Sequence, residues 1–201
     1  MKPRLKRFCG VFVCVLILSN AAVHATQRRA ARTKRFQTEF GMEEPMSRAV
    51  KIPNYVIEKM IRSESADHGG ISDEEAAQIK DEARGAFVDL NGDGREDLLV
   101  RSDQGANITG FWLFRNNGRR FELVLYTIAA GLSIEKNRAR GYHNVEVVAS
   151  SATTGWNAVY EFDGKRYKPA GCWEHELGVG KNGDWGPGRR IECSNDVKPY
   201  R

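Results

Sequence analysis

The chain has 201 residues and carries 31 basic against 26 acidic side chains, a formal net charge of +5. The excess sits at one end: without the basic residues of the first 37 positions the balance is 22 basic to 26 acidic, which excludes a nucleic-acid-binding face on the folded part. No stretch stays apolar for the roughly 20 residues that a bilayer-spanning helix needs, so no transmembrane segment is expected.

Lys2, Arg4, Lys6 and Arg7 precede an apolar run over 8–18, followed by a small-residue site ending Val23-His24-Ala25. This is the layout of a secretory signal peptide over 1–25, so the mature chain is expected to be periplasmic or secreted. At about 11 residues the run is too short to remain as an anchor. Cys9 and Cys14 lie in it without the context that lipoprotein processing needs, and no lipid anchor is expected. The leader over 26–40 holds Arg28, Arg29, Arg32, Lys34 and Arg35 and few apolar residues. It is expected to be disordered, with a tether to an anionic surface as the alternative.

Over 41–84 the pattern is helical and broken by Pro45 and Pro53. One helix should follow Pro53, with Val56, Ile57, Met60 and Ile61 as its apolar stripe. A second should follow Gly69-Gly70, where Ser72 and Glu75 have the spacing of a capping box and Asp73, Glu74 and Glu75 suit the positive end of the helix dipole. Its apolar face, Ala76, Ala77, Ile79 and Ala83, is thin, which predicts light packing.

From 85 to 170 the period shortens, and strands are predicted at 86–89, 97–102, 110–116, 121–129, 133–135, 144–149, 157–162 and 165–169. Asn116-Asn117-Gly118 and Asp163-Gly164 are turn sequences that join neighbouring strands as hairpins. The expected fold class is therefore mainly β, of the α+β type: antiparallel sheet and hairpins after two N-terminal helices. Trp112, Phe114, Phe121, Leu123, Leu125, Tyr126, Val145, Val147, Tyr160 and Phe162 are the expected core.

The tail over 171–201 alternates Gly and Trp with charge and shows neither period. Once the signal is removed only Cys172 and Cys193 remain, and in an oxidising compartment they should form a disulfide around Trp173, His175, Trp185 and Pro187. Such a bridge is worth about 3 kcal/mol in the chain-entropy account. A zinc site of Cys172, His175 and Cys193 is the alternative, and it lacks a fourth ligand. The closed tail, with its aromatics, is a candidate contact surface.

Asp89 to Asp97 reads DLNGDGRED. It sets oxygen-bearing side chains at positions 1, 3, 5 and 9, with the Arg95 carbonyl available at position 7. A hard cation wants six to eight such oxygens, and carboxylates gathered without one repel each other, so Asp89, Asn91, Asp93, Arg95 and Asp97 are the expected ligands of one structural Ca2+. Mg2+ keeps its waters and suits the set less well. The loop is not an EF-hand, because its twelfth position is Val100 and strands flank it. A metal-free turn would use Asn91-Gly92 and Asp93-Gly94 as well, but such a turn does not need Asp97.

The segment FVDLNGDGREDLLV resembles the calcium segment of FG-GAP or VCBS-type repeats. There is one copy here, so a full β-propeller is not expected. The wider run through FWLFRNNGRRFELVL, GLSIEKNRARGYHNVEVVAS and YEFDGKRYKP is similar to small exported bacterial proteins of undefined function. That resemblance implies a fold and a compartment, not an activity.

For catalysis the densest titratable cluster is Glu174-His175-Glu176, and neighbours in an extended segment point to opposite faces. A surface charge cluster is the better account of it. Ser150 to Gly155 reads as a loop without a nucleophile elbow, and no P-loop, dinucleotide fingerprint, HExxH or CxxC pattern occurs. His68 and His143 complete the histidines after the signal. Asn107-Ile108-Thr109 is an N-glycosylation sequon, relevant only in a eukaryotic source. The expectation is a non-enzymatic exported domain that binds a protein or envelope component; the alternative is an exported hydrolase or a periplasmic inhibitor or immunity protein.

Overall fold

The computed structural model describes residues 37–41, 46, 50–103, 109–151, 153–176 and 186–193, with the side chains of Asp67 and His68 left aside. The signal peptide, the five basic residues of the leader, the sequon's Asn107 and Ile108, and Trp185 lie outside the described residues.

A short strand β1 (Glu39–Gly41) comes first, then helices α1 (Asn54–His68) and α2 (Asp73–Glu82). Nine further strands follow: β2 (Arg84–Val88), β3 (Asp97–Asp103), β4 (Thr109–Asn116), β5 (Phe121–Ala129), β6 (Gly131–Ala139), β7 (Tyr142–Ser150), β8 (Thr154–Phe162), β9 (Tyr167–Glu176) and β10 (Arg189–Ile191). The chain is thus mainly β, with two antiparallel sheets and two helices among the described residues. One sheet has the order β2-β3-β4-β5 and the other β1-β6-β7-β8-β9-β10.

The apolar runs of β3 and β4 do not alternate with polar residues because both faces of the four-stranded sheet are buried. Leu98, Val100, Trp112, Phe114 and Tyr126 form one cluster with Val56 and Met60 of α1 and Ile79 of α2. Leu99, Phe111, Leu113 and Leu125 form another with Leu132, Val145, Val147, Tyr160 and Tyr167 of the six-stranded sheet. The arrangement is helices on sheet on sheet, held by two apolar layers.

The helix ends follow local chemistry. Pro53 occupies the N-cap of α1 with extended dihedrals, and Gly69 closes the helix at φ 71°, where a side chain would be strained. In α2 both halves of the capping box form: the Glu75 amide donates to Ser72 Oγ at 3.2 Å and the Ser72 amide to Glu75 Oε2 at 2.6 Å. Ile79 is the one fully buried side chain of α2, in keeping with its thin apolar face.

Several expectations change: Ser150 ends β7 and Thr154 and Gly155 begin β8, so the loop expected over 150–155 is shorter. The last residues of the supposed leader form β1, which pairs with β6 through Phe40↔Leu132 and buries Phe40. The strand expected at 133–135 runs over Gly131–Ala139, interrupted where the register shifts between Ile134 and Arg138. The tail is not wholly irregular: β9 continues to Glu176 along β8, and β10 adds to its far side with Ile191 opposite Cys172. Backbone pairing to β8 supplies the order that side-chain periodicity did not signal.

Candidate metal centre

The Asp89–Asp97 loop joins β2 to β3 at one end of the four-stranded sheet, with Gly92 and Gly94 at φ 74° and 77°. Those left-handed conformations curl the chain so that its amides turn inward. Asp89 Oδ1 accepts from the Gly92 amide at 2.7 Å, and Oδ2 from the Gly94 amide at 3.2 Å. Asn91 Oδ1 accepts from the Asp93 amide at 3.0 Å, and Asp93 Oδ1 from the Arg95 amide at 2.7 Å. Asn91 Nδ2 donates to Asp93 Oδ2 at 3.0 Å. The Arg95 guanidinium lies 3.9 Å from Asp93 on the surface, a pair of little energetic weight.

Asp97 is different, being 2% exposed. Its Oδ2 accepts from the Leu90 amide at 2.9 Å and its Oδ1 from the Asn116 amide at 2.7 Å. The carboxylate therefore has a metal-free task that the sequence does not disclose: it joins the loop to the end of β4. Burial pushes its pKa up to about 6 against those two amides, and the negative charges of Asp93 and Asp89 push in the same direction.

The donor chemistry suits a hard cation. Each carboxylate oxygen that meets an amide keeps a second lone pair, and the mutual repulsion felt at Asp97 is what a cation would relieve. Even so, among the described residues no three His, Cys, Asp or Glu side chains stand close enough to hold an ion as they are. The loop closes on its own amides.

Partners of the loop that the sequence reading missed come from the β6–β7 hairpin. The His143 amide donates to Leu90 O at 2.7 Å, Arg138 Nη1 donates to Asn91 O at 3.1 Å, and Asn91 Nδ2 reaches the Tyr142 hydroxyl at 3.4 Å. Tyr142 in turn lies on Phe162, with ring centroids 4.0 Å apart. Arg138 and His143, with Asp89, Glu135 and Lys136, line an open groove of about 280 Å3. No local signal marks these contacts, since Arg138 and Asn91 are 47 positions apart.

The other candidates are separate from this loop. Cys172 and Cys193 form the expected disulfide, with Cα atoms 5.2 Å apart, which replaces the zinc alternative. The cluster of Glu174, His175 and Glu176 does not act together: Glu174 pairs with Arg189 at 2.7 Å, while the His175 nitrogens meet Gly186 O at 2.9 Å and Asn157 Oδ1 at 2.8 Å. Glu176 ends β9 opposite Thr154. His175 is engaged in fastening the segment before β10 to β8.

Compared with described protein families, curated proteins and solved structures, the chain matches none.

Proposed function

We propose that the chain is an exported, non-enzymatic domain, stabilised by one calcium ion, that binds a protein or envelope component. The observation behind the calcium reading is the loop itself: Asp89, Asn91, Asp93 and Asp97 lie on one turn curled by two left-handed glycines, and the last carboxylate is buried. Asp97 would supply the closing bidentate contact and Arg95 its carbonyl, and bound Ca2+ would neutralise the clustered charge. Ca2+ suits this site better than Mg2+, because exchanging amide partners for an ion asks for flexible, oxygen-rich coordination.

Export rests on the charged, apolar and small-residue pattern of positions 1–25. A binding role, in preference to hydrolysis, is supported by the engagement of His175 in structural hydrogen bonds to Gly186 O and Asn157 Oδ1. One loop copy and two unequal sheets are why the chain is read as a single stabilised domain and not as a propeller.

The test is calorimetric titration of the EDTA-stripped protein with Ca2+, then with Mg2+, followed by thermal unfolding. A dissociation constant near 10⁻⁴ to 10⁻³ M is expected, with a rise in Tm at millimolar Ca2+ that Asp93→Ala abolishes. A flat titration together with an unchanged Tm would overturn the calcium reading.

A further inference from the structure

The Asp89–Asp97 loop connects two strands of the four-stranded sheet and also contacts the six-stranded sheet. His143 is the hub. Its amide donates to Leu90 O in the loop, and its carbonyl accepts from the Tyr167 hydroxyl at 2.8 Å. Its Nδ1 faces Glu135 O at 2.5 Å, and its Nε2 faces Arg138 Nη2 at 2.8 Å. A guanidinium nitrogen only donates, so Nε2 must accept and the ring proton sits on Nδ1, where it donates to Glu135. The imidazole thus holds the guanidinium by one arm, and the other arm reaches Asn91 O.

Packing adds a second restraint. A Cβ built on Gly92 would stand 2.6 Å from Arg138 Nη2, so the guanidinium lies close against the loop backbone at a residue with no side chain to block it. Lysine would not reproduce this contact, because one ammonium lacks the planar fork that meets two acceptors in different directions.

We infer that Arg138 and His143 are positioning residues for the Asp89–Asp97 loop, holding its backbone from the opposite sheet in the curl that presents its oxygens. The inference builds on the calcium reading where affinity is concerned, but the loop's conformation can be measured without any ion. A clamp outside the ligand set acts as outer-shell partners of metal ligands do, and removing such partners typically weakens binding 10- to 100-fold.

The test uses the full mature chain with Arg138→Gln, Arg138→Lys and His143→Gln. Amide exchange over positions 90–95 is followed in EDTA, and Ca2+ affinity by calorimetry. Exchange of the loop amides should rise about tenfold or more in both Arg138 variants, while amides in β7 and β8 keep their protection; Ca2+ should bind at least about tenfold more weakly. His143→Gln keeps an acceptor for Arg138 but lacks the second nitrogen, and should fall between wild type and Arg138→Gln. Unchanged loop exchange in Arg138→Gln, or full recovery by Arg138→Lys, would overturn the clamp. If wild type binds no Ca2+, the calcium reading falls alone and the exchange data still decide the clamp. Should Arg138→Gln fail to fold, Arg138→Lys and His143→Gln carry the same comparison.

Discussion

Asp97 Oδ1 accepts the Asn116 amide at 2.7 Å, across 19 positions of sequence, while its Oδ2 holds the Leu90 amide. One buried carboxylate therefore ties the end of β4 to the start of the loop. Asp97→Ala leaves both amides without their acceptor and should lower stability by about 2–4 kcal/mol in urea unfolding. Asp97→Asn keeps one good acceptor and offers an amide group where a second acceptor is needed, so its loss should be smaller, about 1–2 kcal/mol. Equal stability of Asp97→Ala and wild type in EDTA would remove the metal-free role assigned to this residue.

The raised pKa of Asp97 gives stability a pH dependence of known sign. Its folded value of about 6 lies above the ordinary aspartate value of 3.8, so the folded state binds the proton more tightly. In EDTA this group's contribution is fully present below about pH 4 and is lost as pH rises towards 6, by up to about 3 kcal/mol. Asp163 and Glu122 act in the opposite sense. Backbone amides and Lys168 hold Asp163 low, and Arg115 holds Glu122 low, so both contribute above the normal carboxylate range and lose that contribution in more acid solution. Between pH 4 and 6 the Asp97 effect should dominate. Unfolding free energies at pH 5 and pH 7 in EDTA should favour pH 5, and Asp97→Asn should flatten the difference. With Ca2+ bound the sense reverses, since protons compete with the ion.

Trp112 Nε1 donates to Ser63 Oγ at 2.7 Å, and that hydroxyl donates onward to Met60 O at 2.7 Å, all of it buried beneath α1. Ser63→Ala strands the indole N–H and should cost about 1–3 kcal/mol. In Trp112→Phe, which has no such donor, the same Ser63→Ala change should cost less. The double-mutant cycle should therefore show a coupling of about 1 kcal/mol; additive losses would mean that the hydrogen bond contributes nothing net.

Much of this fold was legible because its elements announce themselves locally. The nine residues Phe121–Ala129 form a strand at their predicted limits, Ser72 and Glu75 cap α2, and Asp163 Oδ1 accepts the Lys165 and Arg166 amides in the predicted turn. What stayed hidden depends on distant partners. β9 extends to Glu176 because β8 offers it a ladder, and β1 forms because Leu132 stands ready to cover Phe40. At the loop the alternation of oxygen-bearing side chains is plain in the sequence, whereas the two backbone amides that Asp97 holds are not. Arg138, Tyr142 and His143 carried no signal at all, since their relation to the loop exists only once the sheets are packed.

The two loop glycines separate backbone strain from crowding. Both have positive φ, 74° at Gly92 and 77° at Gly94, so an alanine at either should cost about 1–2 kcal/mol from conformation alone. Their surroundings differ: nothing lies within 4 Å of a Cβ at Gly94, whereas a Cβ at Gly92 meets the Arg138 guanidinium at 2.6 Å. Gly94→Ala should therefore lower stability modestly and leave Arg138 in place. Gly92→Ala must also displace the guanidinium from Asn91 O and His143, adding the loss of a charge-assisted hydrogen bond, about 1–2 kcal/mol more. The comparison should then be repeated in an Arg138→Gln background. There the extra cost of Gly92→Ala should shrink until the two glycine variants are nearly alike; if the gap persists, the crowding arises from something other than Arg138.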